Sequence, residues 1–256
     1  MTNTNILPPE VINPESECDV LILCDHASNH VPKEFDSLGL EEMSLAEHIA
    51  WDIGAEQITR KMCDMMGMTA VIQRVSRLVI DVNREPGRDS LIPVVSDGTA
   101  IPGNRNLSFE QTQNRVEAYY TPFHQVIEEC IAHRLKRGRT PLIIGMHSFT
   151  DRMAGFQRPW QIGFLWNKDP RLAQAMIGML ERETTLTIGD NEPYSGKDLY
   201  YTMQRHGADN GLAQTTIEIR QDLAKNEKQC TEWAALLCDV LEELLERSDL
   251  MSLKHY

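Results

Sequence analysis

Nowhere in its 256 residues does this chain approach the roughly 20 consecutive apolar residues that a membrane-crossing helix needs. No membrane span is therefore expected. Residues 1–17, MTNTNILPPEVINPESE, have neither a basic start nor an apolar stretch of the kind a secretory signal requires. With both absent, the expected location is cytoplasmic. Positive charge is scarce: 25 Lys and Arg face 38 Asp and Glu, for a formal net charge of -13. A protein that grips duplex nucleic acid needs a basic surface to meet phosphates, so no nucleic-acid partner is expected. The same surplus would repel an anionic substrate unless the pocket carried its own arginines. None of the six cysteines (Cys18, Cys24, Cys63, Cys130, Cys230 and Cys238) forms a C-x-x-C pair, and several lie inside apolar stretches. Reduced core thiols fit that usage better than disulfides or a thiolate metal site. Walker A, G-x-G-x-x-G after a strand and G-x-S-x-G are also missing, which argues against nucleotide cofactors and a serine elbow. There is no internal repeat.

What is present is ordinary globular composition, with 41% hydrophobic and 25% charged residues. Short apolar runs predict strands at Val20–Cys24, Thr69–Gln73, Leu78–Asn83, Leu142–Met146, Trp160–Trp166 and Thr215–Arg220. Helical spacing of apolar residues predicts helices over Leu45–Met66, Ser108–Arg137 (disturbed near Pro122), Pro170–Glu183 and Glu227–Glu246. Pro86–Asn106 is rich in Gly, Pro, Asp and Asn and reads as a long loop. Strands alternating with helices predict a single three-layer α/β domain with a mostly parallel mixed sheet. Residues 1–17 are expected to be an N-terminal extension. In such sheets ligands bind beyond the carboxyl ends of the strands.

The polar residues at those ends are the candidates for chemistry. Asp25-His26 follows Val20–Cys24 directly, and His147 follows Leu142–Met146. Two imidazoles at two strand ends can converge on one Zn²⁺ or another divalent ion, with a carboxylate completing the set. Asp52, four residues after His48 on the expected helix, is one candidate; Asp25 and Glu47 are the others. Each could equally be structural, His48 and Asp52 as an i,i+4 contact. Glu218 lies between apolar residues near a strand end, where a carboxylate is costly without a partner. It could carry a proton from water to a leaving nitrogen, or pair with Arg220 as an internal ion pair. Arg84 offers a planar fork for a substrate carboxylate, with Arg74 and Arg77 nearby, or one of these arginines could pair with Asp81.

Several segments, in order along the chain, resemble the N-formylglutamate amidohydrolase family. They are Cys24-Asp25-His26-Ala27-Ser28-Asn29, His48 to Ala55, Arg77 to Arg84 with its D-x-N-R pattern, and Gly145-Met146-His147-Ser148-Phe149. Pro193-Tyr194-Ser195-Gly196, Arg205-His206-Gly207 and Glu218-Ile219-Arg220 complete the series. Two departures stand out: Gly145 occupies an acidic position of the family's D-x-H-S segment, and Asn29 stands where an H-x-x-E metal motif would have its glutamate. The resemblance implies a phosphorylase/hydrolase-like fold related to zinc exopeptidases and hydrolysis of N-formyl-L-glutamate to formate and L-glutamate. It also leaves Asp52 as the favoured carboxylate ligand and gives Asn83-Arg84 the substrate carboxylate.

The resulting expectation is a metal-dependent amidohydrolase acting on a small N-acyl amino acid. His26, Asp52 and His147 would hold the ion, Glu218 would move the proton, and Asn83, Arg84 and Arg220 would bind the substrate. A different N-acyl or peptide-like amide, or a non-catalytic module binding a small acid, are the competing readings.

Overall fold

The computed structural model describes residues 6–256. Seven strands form its main sheet: β1 (Glu10–Ile12), β2 (Val20–Cys24), β3 (Thr69–Ile72), β4 (Leu142–Phe149), β5 (Ile162–Leu165), β6 (Ile188–Asp190) and β7 (Gln214–Arg220). Their order across the sheet is β1-β3-β2-β4-β7-β5-β6. β3, β2, β4 and β7 run parallel to one another, and β6 runs parallel to β5. β1 and β5 are antiparallel to β3 and β7 respectively. All residues of β2, β3 and β4 are buried, as strands covered on both faces must be.

The helices are α1 (Ala55–Met66), α2 (Phe109–Arg115), α3 (Thr121–Lys136), α4 (Arg171–Glu183), α5 (Tyr201–His206) and α6 (Glu227–Leu245). Alternation along β2 divides the core. Val20, Ile22 and Cys24 face a cluster with α1, α4 and α6; Leu21 and Leu23 face one with α3 and α5. The expected three-layer arrangement is therefore present. All six cysteines are free thiols, four of them buried. Among the described residues, no helix is long and apolar enough to cross a membrane.

Three expectations need correction. The helix expected over Leu45–Met66 begins only at Ala55, preceded by a single turn at Glu42–Ala46. Gly54 breaks it: its φ of 87° is left-handed, and a Cβ there would stand 2.6 Å from the Ala224 carbonyl oxygen. His48 and Asp52 therefore do not share a helix face. Leu78–Asn83 is not a strand but a buried irregular segment. Side chains satisfy its carbonyls where a sheet ladder would: Asn104 donates to Leu78, Arg115 to Val79 and His124 to Val82. The segment expected as an extension supplies the edge strand β1, although residues 1–5 lie outside the described residues. Finally, Ile188–Asp190 joins the sheet without a sequence signal, being only three residues long.

The disturbance near Pro122 is present. Between α2 and α3 the backbone takes a π-helical turn at Val116–Tyr120, because proline has no N–H to continue the α-helical ladder and crowds the preceding turn. The loop over Pro86–Asn106 carries a two-stranded hairpin, Val95–Ser96 with Thr99–Ala100.

Candidate active site

The carboxyl ends of β2, β4 and β7 are neighbours in the middle of the sheet, and the parallel register sets Glu218 beside His147. A cavity of about 230 Å³ opens there. His26, Asp52, Arg77, Asn83, Arg84, His147 and Glu218 all line it. His26 arrives from the turn after β2. Asp52 arrives from the irregular segment before α1, held by its backbone N–H donating to the His26 carbonyl at 2.8 Å.

His26, Asp52 and His147 are buried and offer ligand atoms all within 4.8 Å of one another. Both imidazoles turn Nδ1 toward one oxygen, Asp52 Oδ2, at 3.4 Å from His26 and 2.8 Å from His147. Their Nε2 atoms face other carboxylates: His26 meets Asp81 Oδ1 at 2.8 Å, and His147 lies 3.6 Å from Asp25 Oδ2. His26 Nδ1 is buried without a hydrogen-bond partner. Two histidines backed by carboxylates, one of them with an orphaned inner nitrogen, form a donor set that fits a divalent ion.

Charges follow from this packing. Burial alone would raise the Asp52 carboxyl, but the His26 and His147 rings hold it well below the usual range. Burial likewise opposes the charge of Asp81, and His26, Arg77 and Arg84 overcome it. Burial would push His147 down, yet Asp25 and Asp52 raise it well above an ordinary histidine. That proton sits where a dication would take its place. Glu218 is the exception among the acids. Burial pushes it up to about 7 against the pull of His147, and its Oε2 has no partner.

Arg77 bridges the two aspartates, with Nη1 3.4 Å from Asp52 and Nη2 2.9 Å from Asp81. Asn83 accepts the Thr202 backbone N–H on Oδ1 at 3.0 Å, which ties the D-x-N-R segment to α5. Arg84 lies 3.7 Å from Asp81. Of the remaining candidates only His48 also lines the cavity. Arg220 does not line the cavity: its guanidinium is bound to Asp222 at 2.7 Å and to the carbonyls of Arg158, Pro159 and Trp160. Glu47 is exposed, and Asp25 stands behind His147. His48 pairs with Asp97 at 3.1 Å rather than with Asp52. Sequence reasoning gave no role to Tyr194, Ser148 or Gln221, which also line the cavity. Tyr194 had a signal, the P-Y-x-G segment, but no strand end to point to it.

The N-formylglutamate amidohydrolase family matches residues 18–224. The chain belongs to that family. With it the protein is an amidohydrolase by family. The chain is also similar to an Agrobacterium tumefaciens gene product of known crystal structure, at 37% identity and a TM-score of 0.91, covering 94% of this chain and 96% of that one. The crystal structure of N-formylglutamate amidohydrolase from Ralstonia eutropha is similar at a TM-score of 0.66, covering 93% of this chain and 97% of that one. Its 19% identity speaks to the fold alone. No curated protein matches the chain. At Gly145 a Cβ would meet Thr216 Oγ1 at 3.0 Å and Met203 Sδ at 3.1 Å, so a larger residue there needs those side chains to shift.

Proposed function

We propose that the protein is a divalent-metal-dependent hydrolase of the N-acyl amide of a small acidic amino acid, with N-formyl-L-glutamate, split to formate and L-glutamate, as its substrate. The observation that carries this reading is the convergence of His26 and His147 on one oxygen of Asp52, beside a buried Glu218 whose Oε2 has no partner.

A divalent ion held by His26, Asp52 and His147, zinc being the natural candidate, would polarise the acyl carbonyl and make water more acidic. The other roles belong to the chain. Glu218, buried in the cavity with a free carboxylate oxygen, takes the proton of the attacking water and delivers it to the amide nitrogen as that nitrogen leaves. Arg77 steadies Asp52 and Asp81 so that both imidazoles keep their orientation. Arg84 holds one substrate carboxylate with its fork. Asn83 helps with its amide N–H groups, since its oxygen is committed to Thr202.

The test is metal content by mass spectrometry for wild type beside His147→Ala, with release of glutamate from N-formyl-L-glutamate assayed in parallel. About one divalent ion per chain is expected in wild type, with metal and turnover both lost in the variant. Wild type that stays metal-free after reconstitution with zinc would sink the reading.

A further inference from the structure

An N-acyl glutamate carries two carboxylates; of the arginines lining the cavity, Arg77 is committed to Asp52 and Asp81, which leaves Arg84, with Asn83, as receptor for one of them. Arg220 is committed outside the cavity. Another guanidinium stands just behind the cavity wall. Arg158 is 4% exposed, and among the described residues no carboxylate forms an ion pair with it. Its Nη1 donates to the Thr150 carbonyl and hydroxyl, both at 3.1 Å; its Nη2 lies 2.8 Å from Met153 Sδ and donates to the Tyr194 hydroxyl at 3.1 Å. Its charge also lies over the rings of Tyr194 at 4.8 Å and Phe149 at 5.6 Å. All four of these partners line the cavity. A buried cation supported only by neutral groups is expensive, and it is retained where an anion arrives with a ligand.

Tyr194 is the group through which this charge reaches the cavity. Because Arg158 donates to the phenol oxygen, the phenol's own proton is left to donate elsewhere. Burial, then the charge of Glu218, raises the Tyr194 hydroxyl above its ordinary value, so it stays a donor. The loop before it is fixed: Asn191 Oδ1 accepts backbone N–H groups of Trp166 and Gly196, both at 3.0 Å. A donor polarised by a cation behind it suits a carboxylate better than a neutral amide.

We infer that Tyr194, positioned and polarised by Arg158, binds the second carboxylate of the substrate and makes the site selective for N-acyl dicarboxylic amino acids. This assignment rests on the proposed function, in that it needs the cavity to accept a dicarboxylate. Tyr194 is the specificity residue; Arg158 acts through it.

The probes are glutarate and its monoamide, glutaramate, titrated by calorimetry into wild type and Tyr194→Phe as purified. Wild type should prefer glutarate by about tenfold or more. Tyr194→Phe should lose about tenfold on glutarate while binding glutaramate within about twofold of wild type, the size expected for one hydrogen bond to a charged group. With N-formyl-L-glutamate the loss should fall in KM, not kcat. Should Tyr194→Phe fail to fold, Arg158→Lys carries the same comparison. Equal loss on both probes, no loss on either, or a wild type that does not discriminate would overturn the assignment. Glutarate selectivity without any turnover of N-formyl-L-glutamate would instead sink the proposed function and leave Tyr194's role standing.

Discussion

Two pairs of buried histidines share this domain, and in both the ring centroids are 5.0 Å apart. His26 and His147 meet edge to face, at 73°, within a ring of carboxylates. His124 and His206 stack at 21° and bond to each other at 2.7 Å. Around the second pair stand the aromatic rings of Tyr120, Phe123 and Tyr201, and His124 Nε2 donates to the Val82 carbonyl at 3.0 Å. That bond leaves His124 Nδ1 as acceptor and His206 Nε2 as donor, so the His124 ring is neutral. The charges run oppositely. His147 is raised by its acidic neighbours, whereas burial pushes His124 down to about 3 and His206 to about 4. Burial is common to all; the carboxylates decide which pair can hold a cation. The neutral pair has its own use: it props Val82, between Asp81, which backs His26, and Asn83.

The comparison is sharpened most by removing the one acid in the ring that is not held ionised. Glu218→Gln keeps the shape and should keep the metal, since Glu218 is outside the His-Asp-His set. It should lower kcat by about 10²- to 10⁴-fold, the range for loss of a general base. The pH profile carries the sign: as a base Glu218 works ionised, so kcat/KM of wild type rises with pH through its pKa. That value is about 7 without an ion, and a nearby dication shifts it lower. The acid limb should therefore lie at or below neutrality and vanish in Glu218→Gln. An unchanged limb in the variant would remove Glu218 from the proton path.

A smaller effect is expected from Asp81→Asn. It leaves the three candidate ligands in place and strips the negative charge from behind His26. Metal affinity, read by competition with a chelator, should fall by about 10- to 100-fold. If it does not change, the carboxylates around the first pair are only structural and the contrast between the pairs loses its meaning.

The sequence already showed the layers, the central strands and the two histidines of the cavity, because a polar residue at the end of a buried apolar run leaves a clear signal, although β4 runs on through His147 to Phe149. Asp52 and Glu218 were also visible, though for Asp52 the reason was mistaken: it reaches the site through the break at Gly54, not along a helix. Leu78–Asn83 misled because a buried apolar run looks the same whether neighbours or side chains satisfy its carbonyls. Only the tertiary structure brings Asn104, Arg115 and His124 to it. Its place between apolar residues near a strand end singled out Glu218, but nothing in that pattern could show that Arg220, two residues on, finds Asp222 and three carbonyls first. Arg158 and Tyr194 were illegible as a pair, being 36 residues apart and meeting only through their loops.

The second pair makes a prediction with no bearing on catalysis. A histidine whose folded pKa is depressed adds no pH-dependent cost while both states are neutral, above about 6.5. As pH falls below that value the unfolded chain takes up the proton first, so stability declines until the folded values are reached. Both folded values lie a unit or more below pH 5. The loss by pH 5 then depends almost entirely on the unfolded value and comes to about 2 kcal/mol for each histidine. Urea unfolding of metal-depleted protein at pH 7.5 and pH 5 should therefore show a smaller acid loss in His206→Gln than in wild type, by about 2 kcal/mol. His147 runs the other way: its raised pKa contributes stability that is full below about 6.5 and fades as pH rises through the folded value, so His147→Ala should cost most in acid. Metal content of His206→Gln should match wild type. If His206→Gln instead lost its metal, the two pairs would be one coupled network, and the neutral pair would belong to the site it was contrasted with.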